Sequence, residues 1–278
     1  MSCRHLEIRN LTVDLHGPKP RRLVDGLSLA VPGGKTVALV GESGAGKSMT
    51  ALAIMGLLPP GIRRSGGEIL VDHRSLDAME ADSRRRFRNG TVSVVLQNPM
   101  SAFDPVFSIG AHFRETIAAH KPLSRREARA LAAAALARTG FSDPEGILDI
   151  YPCQMSGGML QRVMIALALI TEPEYLIADE ATTDLDTVAQ ARVLDILRER
   201  RAEGHLGQLI ITHDLGVAAA LADEVAVMRH GKLVEHGAAA DVFSAPRSEY
   251  ARELVETYRR LYGRGLAAFA QAAEGARQ

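Results

Sequence analysis

The apolar run Thr36-Val37-Ala38-Leu39-Val40 passes without a break into Gly41-Glu42-Ser43-Gly44-Ala45-Gly46-Lys47-Ser48. A short continuous apolar run of this kind reads as a strand buried on both faces, which belongs inside a mostly parallel sheet covered by helices. The octapeptide fits G-x-x-x-x-G-K-[ST]. Its glycines let the backbone curl until several N–H groups point inward, and the helix starting near Lys47 adds partial positive charge. Such a turn is built for phosphate. Lys47 is expected to reach the β- and γ-phosphates of a nucleotide and the Ser48 hydroxyl to ligate Mg²⁺. Glu42, Ser43, Ala45 and Met49 complete the expected cradle.

Three later runs share the buried character: residues 92–96, 175–178 and 209–212. Helical stretches lie between them. Ser124 with Glu127 forms a capping box that opens an alanine-rich helix, and Gly140 ends it. Asp143-Pro144 starts another, with Asp as cap and Pro at the first helical position. From Thr187 to Glu203, Val193, Ile196 and Leu197 fall on one face, and Gly204 follows as a stop. Ahead of the glycine-rich turn, residues 4–15 and 23–31 alternate apolar and polar, as antiparallel strands with one wet face do. The fold expected is α/β: a P-loop core with a mostly parallel sheet and antiparallel N-terminal strands.

The strand Tyr175-Leu176-Ile177-Ala178 ends in Asp179 and Glu180. In a P-loop fold this strand is expected beside the phosphate-loop strand, with Asp179 holding the metal directly or through water. Glu180 then orients and polarises the attacking water as general base.

Several other features exclude functions. Lys+Arg and Asp+Glu both number 33, so nucleic-acid binding over the whole surface is excluded. Arg84–Arg88 reads as a solvated helix face. Cys3 and Cys153 are too few for a disulfide scaffold and lack metal-ligand spacing. His230 and His236, six apart with a turn between them, suit no compact metal site. The longest apolar stretch, Val163–Ile170, falls well short of the roughly 18 residues of a spanning helix. The first ten residues have no apolar run of secretory type. The chain is therefore expected in the cytosol, reaching a membrane only through protein partners. Tyr250, Leu254 and Leu261 form a helical stripe expected to pack on the core, and the nine methionines read as core filler.

Ser156-Gly157-Gly158 resembles the signature of the ATP-binding cassette ATPases, about twenty residues before the acidic strand. Gln97-Asn98-Pro99 resembles their Q-loop, Ala181–Asp186 their D-loop and Thr212-His213-Asp214 their switch histidine. The motifs stand in the family's order and cover residues 6–245. The resemblance implies a core of residues 1–97 and 171–245, an inserted all-helical subdomain over 98–170 and a C-terminal helical tail over 246–278. It implies ATP and Mg²⁺ as ligands, with Gln97 joining Ser48 and Asp179 at the metal and joining Glu180 and His213 in catalysis. Ser156, Gly157 and Gly158 would bind the γ-phosphate of a partner's ATP, and Asp186 is assigned to the nucleotide site. Two cassettes would close head to tail, the second most simply a related chain.

The run Gln97–Pro105 resembles the peptide and nickel importers within that family, and Met159 with a cysteine-free tail brings it nearer to the nickel ATPases. Two transmembrane permease subunits and, indirectly, a periplasmic binding protein are the implied partners. The implied place is the cytoplasmic face of the bacterial inner membrane, as a peripheral subunit. A peptide importer, a soluble ATPase of DNA repair or ribosomes, and a nucleotide-gated interaction module are the rival readings. Three departures stand out. Ala181 replaces the usual Pro, Cys153 replaces His and is expected to fill space, and residues 16–22 lack the aromatic that stacks on adenine. An Arg guanidinium or His16 is expected to replace that aromatic.

Overall fold

The computed structural model describes residues 5–183 and 185–262. Cys3, Asp184, residues 263–278 and the side chains of Arg85 and Arg86, all named above, lie outside the described parts. Strands β1 (His5–Leu15) and β2 (Arg21–Pro32) pair antiparallel. Their alternation buries Leu6, Ile8, Leu11 and Val13 on one face. Strand β3 (Thr36–Val40) is buried at every position and leads through the glycine-rich turn into α1 (Lys47–Met55). Strand β4 (Ile62–Val71) returns beside β1 and β5 (Arg74–Ser75) follows it. Helix α2 (Ala81–Gly90) then delivers β6 (Val92–Val95).

The chain next leaves the sheet for four helices. Ser108 caps α3 (Ile109–His120), and Asp143 caps α5 (Pro144–Asp149). The predicted box forms at α4 (Arg125–Arg138): the Glu127 carboxylate accepts from Ser124 N at 2.9 Å and Glu127 N donates to Ser124 Oγ. Ser156 caps α6 (Gly157–Leu169), its Oγ accepting from Met159 N at 3.3 Å. Phe113, Leu136, Leu148 and Leu160 knit these helices into one core, which continues onto the sheet through Leu176 and Ile210.

The remaining chain runs β7 (Tyr175–Asp179), α7 (Thr187–Ala202), β8 (Gly207–Thr212), α8 (Leu215–Leu221), β9 (Glu224–Arg229), β10 (Lys232–Ala238), α9 (Ala239–Ser244) and α10 (Glu249–Tyr262). Two sheets result. One is antiparallel, in the order β2-β1-β4-β5; the other is ordered β10-β9-β3-β8-β7-β6 and is parallel apart from the β9–β10 pair. Val37, Leu39, Ile177 and Ile211 pack between them with the apolar face of β1 and β2.

Three expectations need correction. The acidic strand β7 does not lie beside β3, because β8 separates them: Thr36 pairs with Gln208, and Gly207 with Tyr175. β8 is buried at all six positions and so takes an interior place in the sheet. All three strands are parallel, so their C-terminal ends still open on one edge. Leu261 does not pack on the core. Tyr250 is buried and Leu254 half-buried, but the cluster that α10 covers reaches only to Tyr258, and Leu261 is 71% exposed. Cys153 is exposed and fills no interior space. His236 pairs with Glu224 at 2.9 Å, and the described residues hold no cluster able to bind a metal through His, Cys, Asp and Glu. No described helix is long and apolar enough to cross a membrane.

Candidate active site

The strand β3 sets Gly41 against β9, where a Cβ would overlap the Met228 carbonyl oxygen. The turn then folds on itself. Ala45 N donates to Glu42 O at 3.2 Å, and Gly231 N donates to Ala45 O at 2.9 Å. Lys47 is buried at the start of α1, and its Nζ donates to Gly41 O at 2.8 Å and Glu42 O at 2.9 Å. Burial pulls its pKa below the ordinary lysine range, against the opposing pull of the Glu180, Asp179 and Glu42 carboxylates. An ammonium poorly solvated and held only by neutral carbonyls is prepared to exchange them for phosphate oxygens.

Ser48 Oγ donates to Asp179 Oδ1 at 3.1 Å. Asp179 is 5% exposed. Burial raises its pKa; the Ser48 bond opposes the rise, and the neighbouring Glu180 charge adds to it. A hydroxyl and a buried carboxylate side by side are the hard oxygen donors that suit Mg²⁺. An added cation there would offset the cost of burying the Asp179 charge.

Glu180 adopts a left-handed backbone, φ 48°, directly after β7, and its N–H is anchored on Ile211 O of β8 at 2.8 Å. Its carboxylate gathers three side chains from three segments. Oε2 accepts from Gln97 Nε2 at 3.2 Å and from Thr183 Oγ1 at 3.1 Å, while His213 Nδ1 lies 3.2 Å from Oε1. Gln97 follows β6, His213 follows β8 and Thr183 follows β7, so the shared C-terminal edge of the parallel strands assembles the group. The sequence reading places Glu180, His213 and Gln97 here but gives Thr183 no role. A hydroxyl three residues after the acid was the available signal.

A cavity of about 890 Å³ opens over these groups, within the range that takes a small-molecule ligand. The loop residues Gly41, Glu42, Ser43, Gly44, Gly46, Lys47, Ser48 and Met49 line it together with Gln97, Glu180, Thr183 and His213. Ala45 is buried in the turn, and Asp179 stands behind Ser48. Leu15, Leu23 and Ile62 from β1, β2 and β4 add apolar lining, and Arg21 of β2 lines the cavity as well. Of the candidates for the missing aromatic, Arg21 lines the cavity and His16 does not; Arg22 is drawn off by Asp14 at 3.1 Å and Asp25 at 3.0 Å.

Besides Ala45 and Asp179, four assigned residues do not line this cavity: Ser156, Gly157, Gly158 and Asp186. These four gather at another place, the adjoining starts of α6 and α7. Asp186 caps α7 by accepting from Ala189 N at 2.8 Å, and a Cβ on Gly158 would stand 3.1 Å from Ala189 Cβ. Within one chain the two groups of motif residues therefore form two separate surfaces.

A family model described as ABC transporter matches residues 24–183. The nickel import ATP-binding protein NikD of Rhodospirillum rubrum is 46% identical over 260 residues, covering 93% of this chain and 96% of that protein. The protein of the same name from Brucella abortus is 44% identical over 267 residues, covering 96% and 99%. Among solved structures, the dimeric post-hydrolysis state of the ATP-binding cassette MJ0796, bound to ADP and Pi, superposes with a TM-score of 0.75 at 23% identity. It covers 87% of this chain and 99% of that one, a likeness of fold. A family match over more than half of the sequence, and relatives aligned along almost all of it, place this chain in the ABC transporter family.

Proposed function

We propose that the chain is the ATP-hydrolysing, energy-coupling subunit of an importer whose cargo is nickel or a nickel complex. The observation that carries this reading is the convergence of Gln97, Thr183 and His213 on the Glu180 carboxylate, in the cavity that Lys47 also lines. Glu180 serves as general base, accepting a proton from a water held in line with the γ-phosphate. Gln97 and Thr183 fix one carboxylate oxygen, Oε2, so that the other, Oε1, can turn toward that water once His213 leaves it. His213 is positioned to release Glu180 and donate to the γ-phosphate. Lys47 follows the triphosphate charge, leaving the Gly41 and Glu42 carbonyls for phosphate oxygens. Ser48, Asp179 and Gln97 would hold Mg²⁺, which would supply charge neutralisation to the phosphates when bound. The Arg21 guanidinium stacks on the base in place of an aromatic ring.

The second half of each site comes from another cassette, most simply a related chain. Its helix N-terminus, equivalent to Ser156–Gly158 here, caps the γ-phosphate held by Lys47, so that two nucleotides draw two subunits together. Two permease subunits in the inner membrane and a periplasmic binding protein supply the path for the cargo, and this chain sits on the cytoplasmic face as a peripheral subunit. Nickel follows from the NikD relatives, which align end to end with this chain.

Glu180→Gln tests the reading. ATP affinity should persist while hydrolysis by the assembled complex falls by about 10²- to 10⁴-fold. Cells lacking the gene should lose uptake of labelled nickel, regain it with the wild-type chain and fail to regain it with the variant. Unchanged hydrolysis would refute the general-base role. Restoration of sensitivity to a toxic dipeptide, without nickel uptake, would transfer the cargo to peptides.

A further inference from the structure

Tyr250 enters the sequence reading only as a packing residue. Helix α10 carries its phenol to the phosphate loop, where Glu42 N donates to Tyr250 Oη at 3.1 Å. The ring is 3% exposed and lies under the Arg229 guanidinium, 4.5 Å from its centre. Arg229 directly follows Met228, whose carbonyl abuts Gly41. The end of β9, the start of α10 and the start of the loop thus form one packed corner.

The backbone of Glu42 makes three bonds of different kinds. Its carbonyl accepts from Ala45 N at 3.2 Å, a bond within the loop. The same carbonyl accepts from Lys47 Nζ at 2.9 Å, a bond that Lys47 gives up when it turns to phosphate. Its N–H bond to Tyr250 comes from outside the loop and does not involve Lys47. Leu254, one turn farther along α10, lines the nucleotide cavity. Tyr258, one turn beyond that, stands against Gly216, where a Cβ would collide with its hydroxyl. Gly216 N donates to Asp214, the residue after His213. One helix therefore touches both the phosphate loop and the segment that carries the switch histidine.

We propose that Tyr250 is a positioning residue for the phosphate loop: its hydroxyl fixes the Gly41–Glu42 peptide while Lys47 changes partners, and α10 in this way sets the affinity for the triphosphate. The inference rests on the nucleotide-binding reading of the loop and deepens it. Without the hydroxyl, the Glu42 end of the loop loses its outside anchor at the moment Lys47 departs, leaving only the Gly231–Ala45 bond from outside, and ordering that end again falls on the binding step. Burial holds the phenol above the ordinary tyrosine range, so it is a neutral acceptor at physiological pH.

Tyr250→Phe removes the hydroxyl and leaves the ring on Arg229. KM for ATP of the assembled complex should rise about fivefold, the effect of one neutral hydrogen bond, with kcat within about twofold of wild type. Hydrogen exchange at the Glu42 amide, measured on the full chain without nucleotide, should quicken by about the same factor. Leu261→Ala, on the exposed end of the same helix, should change none of these values. A wild-type KM in Tyr250→Phe, a fall confined to kcat, or an unprotected Glu42 amide in the wild-type chain would each overturn the proposal. Failure of the wild-type chain to bind ATP would instead strike the reading of the loop, and the exchange arm would still decide the contact.

Discussion

Two glycine-bearing turns open α1 and α6, and they differ in what their glycines face. In the first, a Cβ on Gly41 would overlap the Met228 carbonyl, and one on Gly46 would overlap the Leu23 carbonyl and come within 2.8 Å of Met228 Cε. These glycines are required by their own chain, which closes around the loop on both sides. In the second, Gly158 meets Ala189, but a Cβ on Gly157 would have nothing within 4 Å. Both helices lack an acidic residue in the first turn, so both keep the positive field of their N-terminal N–H groups. The phosphate loop spends that field on a cavity that the same chain encloses, and the signature turn presents it outward. Gly157 therefore has no intramolecular reason to be glycine. The proposed head-to-tail assembly provides one: close approach of a phosphate held by another subunit.

Two substitutions test this contrast, beginning with the larger effect. Gly41→Ala forces a methyl into the Met228 carbonyl, and β9 must move away from the loop. A destabilisation of about 3 kcal/mol is expected in urea unfolding, together with loss of ATP binding by the single chain. Wild-type stability in that variant would erase the distinction between the turns. Gly157→Ala should do the opposite. The single chain keeps its stability and its ATP affinity, since the methyl enters open space at the start of a helix. Turnover of the assembled complex should nevertheless fall about tenfold or more, because in the proposed assembly the methyl would stand before N–H groups that face the γ-phosphate. Unchanged turnover would remove Gly157 from any composite site.

The same contrast explains how much of the molecule was legible in its sequence. Features fixed within a few residues could be read directly: the phosphate loop between β3 and α1, the Ser124–Glu127 box and the Asp143 cap. Strand order could not, because the burial of β8 that inserts it between β3 and β7 depends on the whole sheet. β4 went unnamed for a similar reason. Its first half, Ile62–Gly67, is largely polar and ends in two glycines, and it becomes a strand through pairing with β1, from Leu15 with Ile62 to Leu6 with Val71. In the site, the residue types of Gln97, Glu180 and His213 were evident, but their meeting on one carboxylate joins positions 83 residues apart in one case. The Tyr250 contact spans 208 residues and has no local signature.

Thr183 is the smallest test and the one aimed at the enclosed half of the site. Its hydroxyl donates to the Glu180 oxygen that Gln97 also holds, so its removal leaves the carboxylate with Gln97 and His213. Thr183→Val keeps the side-chain shape and deletes one of the three contacts on the carboxylate. A three- to tenfold fall in kcat is expected, roughly the worth of one hydrogen bond to a charged acceptor partly replaced by its neighbours, with KM for ATP unchanged. Thr183→Ser should restore kcat, because the hydroxyl and not the methyl carries the contact. A rise in KM would place Thr183 on the nucleotide rather than on the base. A loss as large as that of Glu180→Gln would mean that the hydroxyl determines where the carboxylate points, with Gln97 and His213 following it.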